Sequence, residues 1–477
     1  MKTDLQRSIS QQLSTDPRLR LITNVFRGSA PVYLVGGAVR SLIMGQPVKD
    51  LDICSGLAAV EVAQLLSRQN IRTIPTGIKH GTLTVLVTGS SQASDKDIAE
   101  GAIEFTSFRS EPGLPVCKTI GEQSRLEQDL RLRDFTINAI AIDIESGLLS
   151  DPCSGLNDIR LRMLRCCGSP DARFQDDPLR IMRMARLACV LGFSIDPQTF
   201  DAAKGACPLL ALVSWERIRD EFSKILCAED PVKGIRILQE TGALKVVLPE
   251  VEAFVGFKQN RFHCADLYEH TLEVVRKTPK DLVLRWAALL HDVGKPNTLS
   301  VDELGDRHFY RHESIGADMA SDILTRLKYS SQVVKQVELL VRTHMRPISC
   351  GKAGIRRLLR DTAGLYTSWR ILKEADSSSC KLEATQLARE LEEFDAAVTD
   401  VQSEPSVSPL SSLAIRGDDL MEMGIPHGPM IGTVLRHLHE LVLDDPLLNQ
   451  REILLTEAGR FATSTSNSSP SLPTTTT

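Results

Sequence analysis

Asp50 and Asp52 stand two apart in a 477-residue chain, at the end of a run that reads YLVGGAVRSLIMGQPVKDLDI over residues 33–53. On a β-strand, side chains at i and i+2 project from one face, so the two carboxylates would enter a single site. Such a pair suits divalent cations, Mg2+ above all, and paired cations clamp the attacking and leaving oxygens of a phosphoryl transfer. Gly36 and Gly37 let backbone lie close to phosphates, and the helix N-terminus behind them adds positive potential together with Arg40. A second candidate set is rich in histidine. Six of the ten histidines fall between His263 and His344, with His291 directly before Asp292. Imidazoles mixed with carboxylates favour Mg2+, Mn2+ or Ni2+ over a sulfur-rich zinc site.

These groups need elements to hold them. Residues 32–35 read as an apolar strand, residues 38–44 as a short helix stopped by Gly45, and Asp50 and Asp52 fall on a strand ending at Ile53. An amphipathic helix over 57–68 and strands over 82–87 and 103–108 complete a small mixed sheet, with a polar loop at 90–101 and a glycine-flanked turn at His80. Pro178 is placed at the first helical position after Asp177, so Asp177 and Arg180 would share a helix face. Beyond Pro197 the pattern is helical, notably over 215–226 and 234–247. Residues 282–290 form an apolar helix that delivers His291 and Asp292 at its end, with Gly294 and Lys295 as its stop. Lys352, Arg356, Arg357 and Arg360 are equally consistent with an RNA-backbone patch and with a solvated helix face.

Composition excludes some classes. A net charge of −5 argues against a generally basic nucleic-acid coat, so any RNA contact must come from local patches. No apolar run approaches 18 residues and the N-terminus lacks a signal-peptide core, so the expectation is no membrane insertion and a cytoplasmic location. Eleven cysteines without a C-x-x-C read as small core hydrophobes in a reducing compartment.

Taken together, GGAVR followed by DLD resembles the head domain of the class II tRNA nucleotidyltransferase and bacterial poly(A) polymerase family. The resemblance implies that Asp50 and Asp52 bind the catalytic Mg2+, with Gly36, Gly37 and Arg40 at the nucleotide. Two departures are visible: Ser41 stands where the family has an acid, and Leu132 replaces the first arginine of RRDFTxNA, leaving Arg131 as a substitute cation. Through that motif Arg133, Asp134 and Asn138 are implied at the ribose and phosphates, and Arg183 at the nucleotide. DDPLR, with Asp176 for glutamate, resembles the family's EDxxR. Cytosine and adenine each set an amino donor beside a ring-nitrogen acceptor, and uracil and guanine reverse that order. A carboxylate on Asp177 and a guanidinium on Arg180 would therefore accept C and A and reject U and G.

His270, His291, Asp292, His312, His344 and Asp376 resemble the ordered ligands of HD phosphohydrolases, implying a second divalent metal, Mg2+, Mn2+ or Ni2+. The expected fold class is α+β. A mixed-sheet nucleotidyltransferase head (1–160) precedes an all-α neck for RNA and base recognition (161–250), an HD body (251–380), a helical tail (381–460) and a disordered end (461–477). The implied activity is template-independent addition of CCA to tRNA from CTP and ATP, with phosphohydrolase activity in the HD region. Poly(A) synthesis, CC-only or A-only addition, and an HD hydrolase whose head merely grips tRNA remain open.

Overall fold

The computed structural model describes residues 9, 13, 15–48, 50–77, 81–86, 102–108, 122–259, 266–379, 384–404 and 410–466, so His80 and the loop at 90–101 lie outside the described residues. The chain divides into two compact units, Met1–Val247 and Leu248–Thr477.

In the first unit one seven-stranded sheet runs in the order β3-β4-β5-β2-β1-β6-β7. Its strands are β1 (Val32–Val35), β2 (Leu51–Ser55), β3 (Arg72–Gly77), β4 (Thr82–Leu86), β5 (Ala102–Ser107), β6 (Ala141–Asp143) and β7 (Leu149–Ser150). Only β2 and β5 pair in parallel; every other neighbouring pair is antiparallel. All four residues of β1 are buried, as its continuous apolar run requires. Alternation then splits the core: Leu34 and Ile53 pack on one face with Val39, Val62 and Phe105, while Tyr33, Val35 and Cys54 pack on the other with Leu126 and Leu130. Asp52 is paired with Val35 and therefore belongs to the second face.

The helices of this unit that bear on the site are α1 (Pro17–Phe26), α2 (Gly36–Ile43), α3 (Ala59–Arg68), α4 (Glu122–Arg131), α5 (Pro170–Asp176), α6 (Arg180–Leu191) and α7 (Trp215–Leu226). Three boundaries differ from the sequence reading. Helix α2 begins at Gly36 itself, because Gly36 adopts φ +69 and turns the chain directly out of β1. Strand β2 starts at Leu51 and runs to Ser55, so Asp50 sits one residue before it. Helix α6 begins at Arg180 rather than Pro178: Asp177 is extended at φ −148 and ψ 95 and closes α5.

The second unit is mostly helical, with a short antiparallel pair of strands at Leu299–Val301 and Arg307–Phe309; its longer helices are α8 (Leu267–Lys277), α9 (Leu282–Leu290), α10 (His312–Arg326), α11 (Ser331–Thr343), α12 (Lys352–Asp361), α13 (Tyr366–Ser377), α14 (Ala384–Ser403), α15 (Pro429–Asp444) and α16 (Arg451–Ser466). Asp281 caps α9 by accepting from the Leu284 N–H, and Leu284 through Leu290 are all buried. The basic residues of α12 are spent internally. Lys352 and Arg356 pair with Glu404, and Arg357 and Arg360 pair with Glu440, tying α12 to the C-terminal ends of α14 and α15. Helix α16 continues through Ser466, past the expected onset of disorder at 461; its Phe461 ring stacks on His437 with centroids 4.0 Å apart.

Candidate active site and metal centres

Asp52 is the half-buried member of the acid pair. Its parallel partner across β2–β5 is Glu104, an exposed acid one strand away that the sequence reading did not single out. Burial, then the Glu104 charge, pushes the Asp52 carboxyl up to about 6 against the pull of Arg133, and Asp50 adds to the rise. Asp50 is exposed at the strand's edge. Gly36 explains the tight geometry: a Cβ there would lie 3.1 Å from Asp52 Oδ2 and 3.6 Å from Arg133 Nη1. The turn thus presses acid and guanidinium close together, and only glycine fits the turn.

Around these acids the sequence-predicted residues do converge. Arg133 is buried and held by Asp129, whose Oδ2 accepts from Nε at 3.1 Å and from Nη2 at 3.0 Å. Asp134 accepts from the Phe135 N–H at 2.8 Å and from Asn138 Nδ2 at 3.2 Å, and its second oxygen pairs with Arg183 at 3.3 Å. Asn138 in turn accepts from Arg40. Burial, followed by the neighbouring Arg186, pushes Arg40 down to about 10. Asp134 and Asn138 therefore organise cations rather than stand free. The chain Arg40–Asn138–Asp134–Arg183 locks α2 to α6, leaving Gly37 half-buried beside Arg40.

Asp177 and Arg180 are brought near this cluster but not to each other's side chains. Arg180 donates to the carbonyls of Arg173 at 2.9 Å and Leu132 at 3.3 Å, and so is anchored to the loop that carries Arg133 and Asp134. Asp177 accepts from the Leu179 N–H at 3.3 Å and pairs with Arg217 at 2.9 Å.

In the second unit five helices deliver the six histidine-set residues. His270 lies within α8, His291 and Asp292 follow α9, His312 opens α10, His344 caps α11, and Asp376 lies in α13. His270, His291 and Asp376 form one potential ligand group, and Asp292, His312 and His344 a second. Asp292 joins them: Oδ2 is 3.1 Å from His291 Nε2, and Oδ1 is 3.3 Å from His312 Nε2. His291, His312 and His344 each place Nδ1 against a backbone carbonyl, of Ala288 at 2.8 Å, Phe309 at 2.7 Å and Val341 at 2.6 Å. Nδ1 carries a proton in that contact, which leaves each Nε2 turned inward, where a metal ligand's would be. Gly294, read as a helix stop, permits this closeness: a Cβ there would meet the His312 carbonyl at 2.3 Å. Lys295, the other supposed stop, instead donates to Asp292 at 2.6 Å and to Gln259 at 2.8 Å. Burial alone would raise Asp292, but His291 and Lys295 hold it well below the carboxylate range. Burial lowers His344.

Comparison with known proteins decides the family. Three family models match: the poly A polymerase head domain over residues 32–165, a probable RNA- and SrmB-binding site of polymerase A over 192–255, and the HD domain over 263–379. The A-adding tRNA nucleotidyltransferase of Deinococcus radiodurans is 36% identical over 330 residues, 66% of this chain and 75% of that protein. The chain belongs to the tRNA nucleotidyltransferase and poly(A) polymerase family. A CCA-adding enzyme of Levilactobacillus brevis is 28% identical over 89% of this chain and 92% of its own. The crystal structure of the Bacillus stearothermophilus CCA-adding enzyme with CTP superposes with a TM-score of 0.67 at 25% identity, covering 95% of this chain and 100% of that one.

In this nucleotidyltransferase the two departures from the family pattern acquire a structural meaning. Leu132 contributes its carbonyl, which accepts from both Arg173 at 3.2 Å and Arg180 at 3.3 Å. Arg131 is exposed at the end of α4, and the further cations of the cluster come instead from Arg183 and Arg186 on α6. Ser41 lies half-buried in α2. Sequence reasoning missed Asp129, Glu104, Arg217 and Glu221, the last of which accepts from Arg186. Asp129, three residues ahead of Leu132, was legible as an i,i+4 partner of Arg133. The others depend on which strands and helices become neighbours. No helix among the described residues is long and apolar enough to cross a membrane.

Proposed function

We propose that the head adds C, C and A to the 3′ end of tRNA from CTP and ATP without a template. One observation carries this reading: Arg180 is fastened to the Leu132 carbonyl, so the base-reading pair and the Arg133–Asn138 loop form one body beside Asp52. The donor set of Asp50, Asp52 and Glu104 is all oxygen, and the raised Asp52 is an anion short of a counter-charge; both features fit Mg2+. Held there, the cations supply Lewis-acid charge to the triphosphate and the attacking 3′-hydroxyl. The chain's own residues do the rest. Arg40 and Arg183, braced by Asn138 and Asp134, present positive charge to the triphosphate, and Arg133 is fixed beside Asp52 by Asp129. Asp177 accepts from the exocyclic amine and Arg180 donates to the ring nitrogen, so the protein stands in for a template base.

The test uses tRNA lacking its last three nucleotides, with CTP and ATP supplied separately and together and products resolved on a sequencing gel. Three additions that require both nucleotides bear the reading out. The similarity to the A-adding enzyme of D. radiodurans, 36% identical over 330 residues, supports a second reading, A-only addition. In that case tRNA ending in CC is extended by ATP while tRNA lacking CCA is left untouched by CTP.

For the second unit we propose metal-dependent hydrolysis of 2′,3′-cyclic or 2′-phosphate ends. The inward Nε2 atoms and the shared Asp292 support it, and the mixed nitrogen and oxygen donors fit Mg2+, Mn2+ or Ni2+. His291→Ala should remove this activity and leave nucleotidyl transfer in place, while Asp52→Ala should do the reverse.

A further inference from the structure

Helix α7 touches the active-site region through two ion pairs one helical turn apart. Arg217 Nη2 pairs with Asp177 Oδ2 at 2.9 Å, and Glu221, four residues on, accepts from Arg186. The two pairs differ in what they hold. Glu221 is buried and braces a cation of the triphosphate cluster. Arg217 keeps 52% of its side chain exposed and braces the carboxylate assigned to the base edge, which itself is 24% exposed.

The Asp177 carboxylate has few other constraints. It lies in extended backbone between α5 and α6, and its other hydrogen bond among the described residues is the 3.3 Å bond from the Leu179 N–H to Oδ1. With Oδ1 held by that N–H and Oδ2 by Arg217, the plane of the carboxylate is fixed, and a remaining lone pair can face an amino group. Without Arg217 one oxygen is released. Arg183, whose charge already acts on Asp177, then becomes the competing partner. A carboxylate drawn toward Arg183 leaves the base edge unread and takes a cation from the phosphate cluster.

We propose that Arg217 is a positioning residue for nucleobase selection, fixing the Asp177 carboxylate to receive the exocyclic amine of cytosine and adenine. The proposal rests on the reading of Asp177 as a base-contacting group. It assigns to a helix otherwise legible only as neck a part in specificity, and it separates that part from the phosphate-side role of Glu221.

The experiment measures single-nucleotide incorporation of CTP, UTP, ATP and GTP onto tRNA lacking its 3′ end, by the full chain and by Arg217→Ala, Arg217→Lys, Glu221→Gln and Asp177→Ala. Circular dichroism of each variant checks that α7 is intact. Arg217→Ala is expected to lower the preference for CTP over UTP about tenfold, mainly through KM for the correct nucleotide, with partial restoration in Arg217→Lys. Glu221→Gln removes an ion pair from the same helix and is expected to raise KM for all four nucleotides alike, leaving the CTP/UTP ratio in place. A purely structural role for α7 predicts that both variants behave the same way, which would overturn the proposal. An unchanged ratio in Arg217→Ala alongside a collapsed ratio in Asp177→Ala would overturn it while sparing the base-reading assignment. An unchanged ratio in both would remove that assignment too.

Discussion

Replacing Asp52 by asparagine should strengthen the metal-free fold while abolishing transfer. Burial and the Glu104 charge raise the Asp52 carboxyl from 3.8 to about 6. At about 1.4 kcal/mol per pH unit, the full rise corresponds to roughly 3 kcal/mol of strain on the ionised form. Partial solvent access reduces the expected cost to about 1–2 kcal/mol. The sign follows from proton binding. The folded state holds this proton more tightly than the unfolded chain, so the contribution of Asp52 to metal-free stability is most favourable below pH 3.8, declines as pH rises to about 6 and stays low above it. Asp52→Asn carries no such charge. In EDTA at pH 7.5 the variant should resist guanidinium by about 1–2 kcal/mol more than the parent, and this gain should shrink toward pH 4.5. Transfer should fall at least about 100-fold, since charge stabilisation by a bound divalent ion is worth several kcal/mol. A variant less stable than the parent at pH 7.5, or a gain that does not change with pH, would refute the picture of Asp52 as a strained, half-buried anion awaiting a cation.

Three further outcomes follow from the packing. Gly36→Ala places a Cβ 3.1 Å from Asp52 Oδ2 at φ +69, so it should cost about 1–3 kcal/mol of stability and most of the transfer activity, read by denaturation and by single-turnover kinetics. Gly294→Ala meets the His312 carbonyl at 2.3 Å; it should empty the histidine centre of metal by elemental analysis while nucleotidyl transfer persists. Arg357→Ala breaks partly exposed pairs with Glu440 and Asp444 and should cost about 1 kcal/mol or less. It should also leave the salt dependence of tRNA binding unchanged, because a residue contacting phosphate would lower the slope by about one.

Much of this site was legible because its residues lie close together in sequence. GGAVR and DLD are joined by a short helix, and strand alternation places Asp52 and Cys54 on one face without knowledge of the fold. The histidine set was legible for a different reason. Each of its residues sits at or near a helix end or on an apolar helix, where periodicity is strong. What the sequence withheld is long-range. Glu104 becomes a neighbour of Asp52 only through the parallel β2–β5 pairing, a crossover that no local pattern announces. Arg217 reaches Asp177 across 40 residues, and its helix reads as an ordinary amphipathic one. The basic run on α12 stayed open between two readings, since its acidic partners on other helices lie 48 to 87 residues away. Lys295 looked like a helix terminator because its role depends on an Asp292 carboxylate buried at the centre of five helices.

The most direct test of the central claim supplies all four nucleoside triphosphates with Mg2+ to tRNA stripped of its 3′ end and sequences every product terminus. The account predicts termini that stop at CCA, with U and G excluded. Open-ended A tails, or U and G entering at rates comparable to C and A, would contradict it.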